Sequence, residues 1–81
     1  MKKTPNVKSS DFHHLIYIKK PSFEVYKWCE SQFGARWNPI NSRSGRWTAF
    51  WAGPRCTLGS EYYQFQFVDE KDAIMFMLKW K

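Results

Sequence analysis

A chain of 81 residues has room for one small domain with a single core. Aromatic residues make up 20% of it, enough large side chains to build that core without disulfide bonds. The net charge is +6. The high aromatic content nevertheless excludes disorder over most of the chain. The two cysteines, Cys29 and Cys56, fit neither a disulfide-rich secreted scaffold nor the spacing of zinc ligands.

Two segments that would direct the protein to a membrane or out of the cell are missing from the sequence. No apolar run approaches the roughly 18 residues of a transmembrane helix. The basic N-terminus lacks the apolar stretch of a signal peptide. We therefore expect a cytoplasmic protein with reduced cysteines and no membrane partner. Residues 1–10, which hold three Lys, predict a flexible basic tail, and residues 11–81 predict a single domain.

The first half of the domain predicts a strand followed by a helix. The apolar segment 12–18 has large side chains on both faces, as a central strand does. Ser22 can cap a helix that runs to residue 33, and Gly34 stands where a helix C-cap belongs. The apolar stripe of this helix consists of Val25, Cys29 and Phe33.

The second half predicts further strands and a closing helix. Residues 36–38 form a short extended piece, and 46–51 and 62–68 are clearer strands. Asp69 opens the last helix as N-cap, with Asp72 at the N3 position of a capping box. Alternation places two sets of residues each on a common face: Trp47, Ala49 and Trp51 in one strand, and Tyr63, Phe65 and Phe67 in the other.

These elements predict an α+β fold, a three- to four-stranded mostly antiparallel sheet with two helices packed on one face. The element order is β-α-β-β-β-α, or β-α-β-β-α if residues 36–38 are not a strand. The other sheet face is left open. Since a register slip of one residue exchanges the faces, the sequence leaves undecided which face carries Trp37, Trp47 and Trp51.

The window 31–60 carries the strongest functional signal, because it has no Asp, Glu or Lys but holds every Arg of the chain. Guanidinium groups bind phosphate, and aromatic rings stack on bases, which is typical of single-stranded nucleic-acid binding. The candidate phosphate ligands are Arg36, Arg43, Arg46 and Arg55. The candidate stacking residues are Trp37, Trp47 and Tyr62. The structural alternative places Trp47 and Trp51 beneath the helices, as part of the core.

A second hypothesis is a protein-interaction module or a homodimer. The last helix is apolar nearly all round from Ala73 to Trp80, as a helix that is either deeply buried in the core or shared with a partner would be. The sequence holds no paired carboxylates, nucleophile elbow or phosphate loop, so we expect no enzyme and no cofactor. His13 and His14 point to opposite faces of a strand and cannot readily chelate one metal ion.

Three resemblances bear on these hypotheses. From Ser22 to Trp80 the predicted order resembles a double-stranded-RNA-binding domain, although residues 69–72, which would be basic in that family, are largely acidic. The β-α-β-β-α core is similar to ferredoxin-like and RNA-recognition domains without their final strand. The stretch from Phe65 to Phe76 resembles small bacteriophage-encoded proteins. That resemblance implies an accessory protein or inhibitor that binds a host protein or nucleic acid in the host cytoplasm.

Overall fold

The computed structural model describes residues 7–40 and 44–80. Within these ranges the order of elements is β1 (His14–Lys19), α1 (Phe23–Phe33), β2 (Trp47–Trp51), β3 (Tyr62–Phe67) and α2 (Glu70–Trp80). The strands form one antiparallel sheet in the order β1-β3-β2. The predicted α+β class is confirmed. Residues 36–38 contribute an isolated bridge at Asn38 beside β2, so the three strands follow the shorter of the two predicted orders.

The core lies between the sheet and the two helices. Phe65 pairs with Ile16 of β1 and Ala49 of β2, so these three side chains share one face. The ring of Phe76 from α2 stacks on Phe65 with 4.8 Å between centroids, and Phe33 of α1 meets the same face through Phe67. Both helices therefore cover this face. Trp47 lies on it too and is fully buried, as the structural alternative predicts, whereas Trp51 shares this face but is 48% exposed and lies outside the core.

The ends of α1 lie where the sequence predicts them, although the Ser22 side chain forms no capping hydrogen bond. Ser22 takes the extended backbone of an N-cap residue (φ −79°, ψ 167°). Gly34 ends the helix with φ 89°, a left-handed conformation that favours glycine, and its N–H donates to the carbonyl of Glu30 at 3.0 Å. The predicted stripe is buried; it comprises Val25, Cys29 and Phe33.

The N-terminal segment and the chain around Trp37 form a small second cluster. The Trp37 indole N–H donates to the carbonyl of Val7 at 2.7 Å, and its ring packs against buried Phe12. Residues 7–10 of the predicted tail are thus attached to the domain, because Val7 accepts this bond and a 3₁₀ turn begins at Ser9. The prediction of flexibility for residues 1–6 lies outside the described residues.

Gly45 allows this cluster to pack closely. A Cβ on Gly45 would lie 2.5 Å from the backbone nitrogen of Trp37, too close for any side chain. The Trp37 N–H donates to the carbonyl of Trp47 at 2.7 Å, and the hydroxyl of Thr48 donates to the carbonyl of Trp37 at 3.3 Å. The Thr48 side chain points to the sheet face that the helices leave uncovered, and it is buried there. The cluster therefore covers one end of that face.

Candidate functional site

Trp47, a predicted stacking residue, belongs to the core. Its exposed fraction is 0%, and its ring is parallel to that of Phe65 with 6.5 Å between centroids. Its indole N–H donates to the carbonyl of Gly34 at 2.8 Å. The ring is therefore not available to stack on a base, which corrects the prediction for this residue.

Trp37 and Arg36 both contact the protein itself. Trp37 is half-buried by its contacts with Val7 and Phe12. The Arg36 guanidinium donates to the carbonyl of Ala49 at 3.2 Å and lies over the ring of Tyr26, 5.8 Å from its centroid. These contacts hold the segment after α1 against β2, so both side chains have a structural task.

Arg46 forms an ion pair with Asp72 of α2. Its Nε donates to Oδ2 at 2.8 Å and its Nη2 to Oδ1 at 3.3 Å, while the guanidinium lies over the ring of Phe33. Asp72 is only 5% exposed. Asp72, which was predicted to complete a capping box, thus links α2 to the start of β2. The guanidinium of Arg46 is engaged in this ion pair and is not free to bind phosphate.

The remaining predicted residues lie elsewhere. Arg55 is exposed in the loop between β2 and β3, and Tyr62 is partly exposed at the start of β3. Arg43 lies outside the described residues. The structure therefore does not gather the predicted site residues of the window 31–60, here called the Arg- and Trp-rich hairpin, into one surface. Of the predicted residues that it describes, Arg55 and Tyr62 are the two whose side chains form no hydrogen bond, ion pair or ring contact with other described residues.

The side of the sheet turned away from both helices, here called the open face, carries aromatic residues that were not in the predicted site. Tyr17 of β1 and Phe50 of β2 flank Gln64 of β3 in one row. Tyr62 lies in the next row opposite Lys19. Phe50 is 49% exposed, and Tyr17 and Tyr62 are partly exposed. The alternation that buries Ile16 and Ala49 could have indicated these positions, once the helix-covered face was known.

Hydrogen bonds connect the polar side chains of this face. The Gln64 amide donates to the hydroxyl oxygen of Tyr17 at 2.6 Å, and the Gln66 amide donates to the carbonyl oxygen of Gln64. Because Tyr17 accepts here, its own O–H proton is left to donate. The carbonyl oxygen of Gln66 is the acceptor at the other end. The open face can thus donate and accept hydrogen bonds beside its aromatic rings.

Basic residues adjoin the open face where β1 ends and β3 begins. The ammonium of Lys20 lies 2.9 Å from the Glu61 carboxylate, and that of Lys19 lies 3.6 Å from it. The hydrogen bond from Lys20, followed by the charges of both lysines, lowers the pKa of Glu61 below its usual value. All three side chains are exposed, so Glu61 offsets one of two positive charges without withdrawing them from solvent.

Other candidate chemistry is limited. Burial raises the pKa of the Cys29 thiol to about 12, which removes the reactive thiolate near neutral pH. The described residues include no cluster of three or more His, Cys, Asp or Glu able to hold a metal ion. Among the described helices, none has the length and apolarity needed to cross a membrane.

The outer side of α2 exposes four apolar side chains: Ile74, Met75, Met77 and Leu78. This is the apolar helix surface on which the protein-interaction and homodimer hypotheses depend. That this surface binds a partner protein or a second copy of the chain stays a prediction, as does the resemblance to bacteriophage proteins.

No protein-family model, no curated protein and no solved structure matches this chain. A functional proposal for this chain therefore rests on the geometry and chemistry of its described residues.

Proposed function

We propose that the protein binds single-stranded nucleic acid through the open face of its sheet. The observation that supports this is the placement of Tyr17, Phe50 and Tyr62, one on each strand, in two adjacent rows of that face. Aromatic rings on a sheet surface can stack with successive bases, and each stack is worth about 1–3 kcal/mol. The proposed site lies on the open face and keeps Tyr62 of the predicted stacking residues, while Trp37 and Trp47 are left out of it.

The neighbouring groups suit the same ligand. Strands lie about 4.8 Å apart, so Tyr17 and Phe50 are roughly 10 Å apart across the central strand, which leaves room for two separate bases. The Tyr17 hydroxyl and the Gln66 carbonyl can bond to base edges. Lys19 and Lys20 supply cations for phosphate on a chain with a net charge of +6, and Arg55 is a further exposed cation in the loop between β2 and β3.

The double substitution Tyr17→Ala with Phe50→Ala tests the proposal. We expect the affinity for a fluorescein-labelled 12-nucleotide single-stranded DNA to fall at least about tenfold, because two stacking contacts are lost. Fluorescence anisotropy at 50 and 200 mM salt measures it, and the wild-type affinity should weaken steeply between the two.

Phe23→Ala is the matched control. Phe23 is 73% exposed at the start of α1, so its loss removes apolar surface on the helical side of the molecule. We expect its affinity to equal that of the wild type. The proposal fails if the wild type does not bind at 50 mM salt, or if Phe23→Ala weakens binding as much as the double substitution.

Replacing Glu61 by Gln should strengthen binding about threefold, because Lys19 and Lys20 lose the carboxylate that offsets them. The dependence of affinity on salt should become steeper as the two ammonium groups become free for phosphate. Glu30→Gln, at an exposed position of α1, changes the net charge equally and controls for it. An equal gain in both variants would show that only overall charge matters and would argue against contact at this site.

A further inference from the structure

An open groove of about 350 Å³, here called the cavity, lies between the helices, where α1 begins and α2 ends. Its lining residues are Glu24, Lys27, Trp28, Lys79 and Trp80. Since both helices cover the other face of the sheet, this cavity is on the opposite side of the molecule from the open face. Its volume falls near the lower end of the range for small-molecule sites, about 300–1,000 Å³.

Two indole rings form the apolar wall of the cavity. The rings of Trp28 and Trp80 meet at 82° with 6.1 Å between centroids, so together they make a corner. A flat ring can lie against one indole and meet the other edge-on. The Nε1 of Trp80 is buried and has no hydrogen-bond partner in the part of the chain that the structure describes. Because this buried nitrogen is closed to solvent, Trp80 offers the cavity its ring surface and not this donor.

The charged residues of the cavity favour an anion. Neither Lys27 nor Lys79 forms an ion pair with any described residue, and both side chains are exposed. The Lys79 ammonium is held 5.5 Å from the centroid of the Trp80 ring, beside the corner. Glu24 is the one acidic side chain among the described residues that line the cavity, and it leaves a net charge of +1 there.

We propose that this cavity binds an aromatic carboxylate. The ring occupies the corner between Trp28 and Trp80, and the carboxylate lies near Lys27 and Lys79. The carboxylate supplies the negative charge that neither lysine receives from an acidic side chain among the described residues. An inorganic anion would leave the indole walls unused, and an uncharged aromatic molecule would gain no attraction from the two ammonium groups.

Titration of 2-naphthoate into the ¹⁵N-labelled full chain tests the proposal. We expect the indole N–H signals of Trp28 and Trp80 to shift with saturation, and the side-chain amide signals of Gln64 to stay unchanged. The uncharged analogue 2-naphthamide should bind at least about fivefold more weakly, because it lacks the charge that the lysines attract. Equal affinities for the two compounds, or shifts confined to the open face, would overturn the proposal.

Substitutions that remove a positive or a negative charge at exposed positions of the cavity should change the affinity in opposite directions. We expect Lys27→Gln and Lys79→Gln each to weaken 2-naphthoate binding about threefold, and Glu24→Gln to strengthen it about threefold. Trp80→Phe keeps an aromatic wall but reduces its area, so it should also weaken binding. The proposal is wrong if Lys27→Gln with Lys79→Gln leaves the affinity unchanged, or if Glu24→Gln lowers it.

The same lysine variants separate this site from the nucleic-acid site. In the DNA titration we expect the affinity of the Lys27→Gln, Lys79→Gln double variant to stay within about twofold of the wild type, since both lysines lie on the helical side. A large loss of DNA affinity together with no response to 2-naphthoate would overturn the carboxylate site. It would also place these lysines in the nucleic-acid surface instead.

Discussion

Replacing Phe65 by Ala should lower the free energy of unfolding by about 3–5 kcal/mol. Phe65 is fully buried in the central strand, where its ring contacts those of Tyr26, Trp47 and Phe76 at centroid distances of 5.3, 6.5 and 4.8 Å. The substitution removes a ring that contacts both helices from the central strand. Because the core of so short a chain is small, the loss is a large part of its total stability. Urea unfolding followed by circular dichroism measures the change.

Phe50→Ala is the control for this prediction. Phe50 lies on the neighbouring strand but on the open face, and about half of its side chain is in water. We expect a loss below about 1 kcal/mol, because little apolar area returns to solvent. Equal losses at the two positions would contradict the assignment of Phe65 to the core and Phe50 to the open face.

Replacing Arg46 by Met should destabilise the fold by about 2–3 kcal/mol, because it leaves the Asp72 carboxylate buried without its cation. The Asp72 side chain is 7% exposed, whereas that of Arg46 is 49% exposed, so water screens part of the interaction. Combining Arg46→Met with Asp72→Asn should cost less than the sum of the two single substitutions. Urea unfolding of the four proteins measures the coupling.

Arg55→Met is the control for the loss of a positive charge. Arg55 is exposed in the loop between β2 and β3, and we expect its replacement to change the free energy of unfolding by less than about 0.5 kcal/mol. If Arg55→Met destabilised the protein as much as Arg46→Met, net charge rather than the pair with Asp72 would be responsible. Additive effects in the double variant would lead to the same conclusion.

Local patterns were sufficient to predict the elements of the fold. The alternation that puts Phe65 and Phe67 on one face of β3 reflects the two-residue period of a strand, and both residues are fully buried. The spacing of Val25, Cys29 and Phe33 reflects the helical period in the same way. Glycine at position 34 indicated the helix end, because the backbone there needs a positive φ.

The site could not be predicted equally well, because it depends on contacts between distant residues. Arg46 and Asp72 are 26 residues apart, and no local pattern shows that a guanidinium in the hairpin meets a carboxylate of the last helix. Tryptophan is a residue type common in binding sites, but the surroundings of Trp47 are those of a core residue. Tyr17 and Phe50 were recognisable only after the helices were placed, because either sheet face could have been the covered one.

The contacts of Arg36 and Trp37 also determine how the outer strand β2 can meet another chain. Unpaired backbone groups on a sheet edge attract further strands, which leads to aggregation. The carbonyls of Trp47 and Ala49 are already bonded to the Trp37 N–H and the Arg36 guanidinium. A foreign strand would have to displace both before it could extend the sheet at β2. Two residues of the hairpin that were predicted to attract a partner thus protect this edge from an unwanted one.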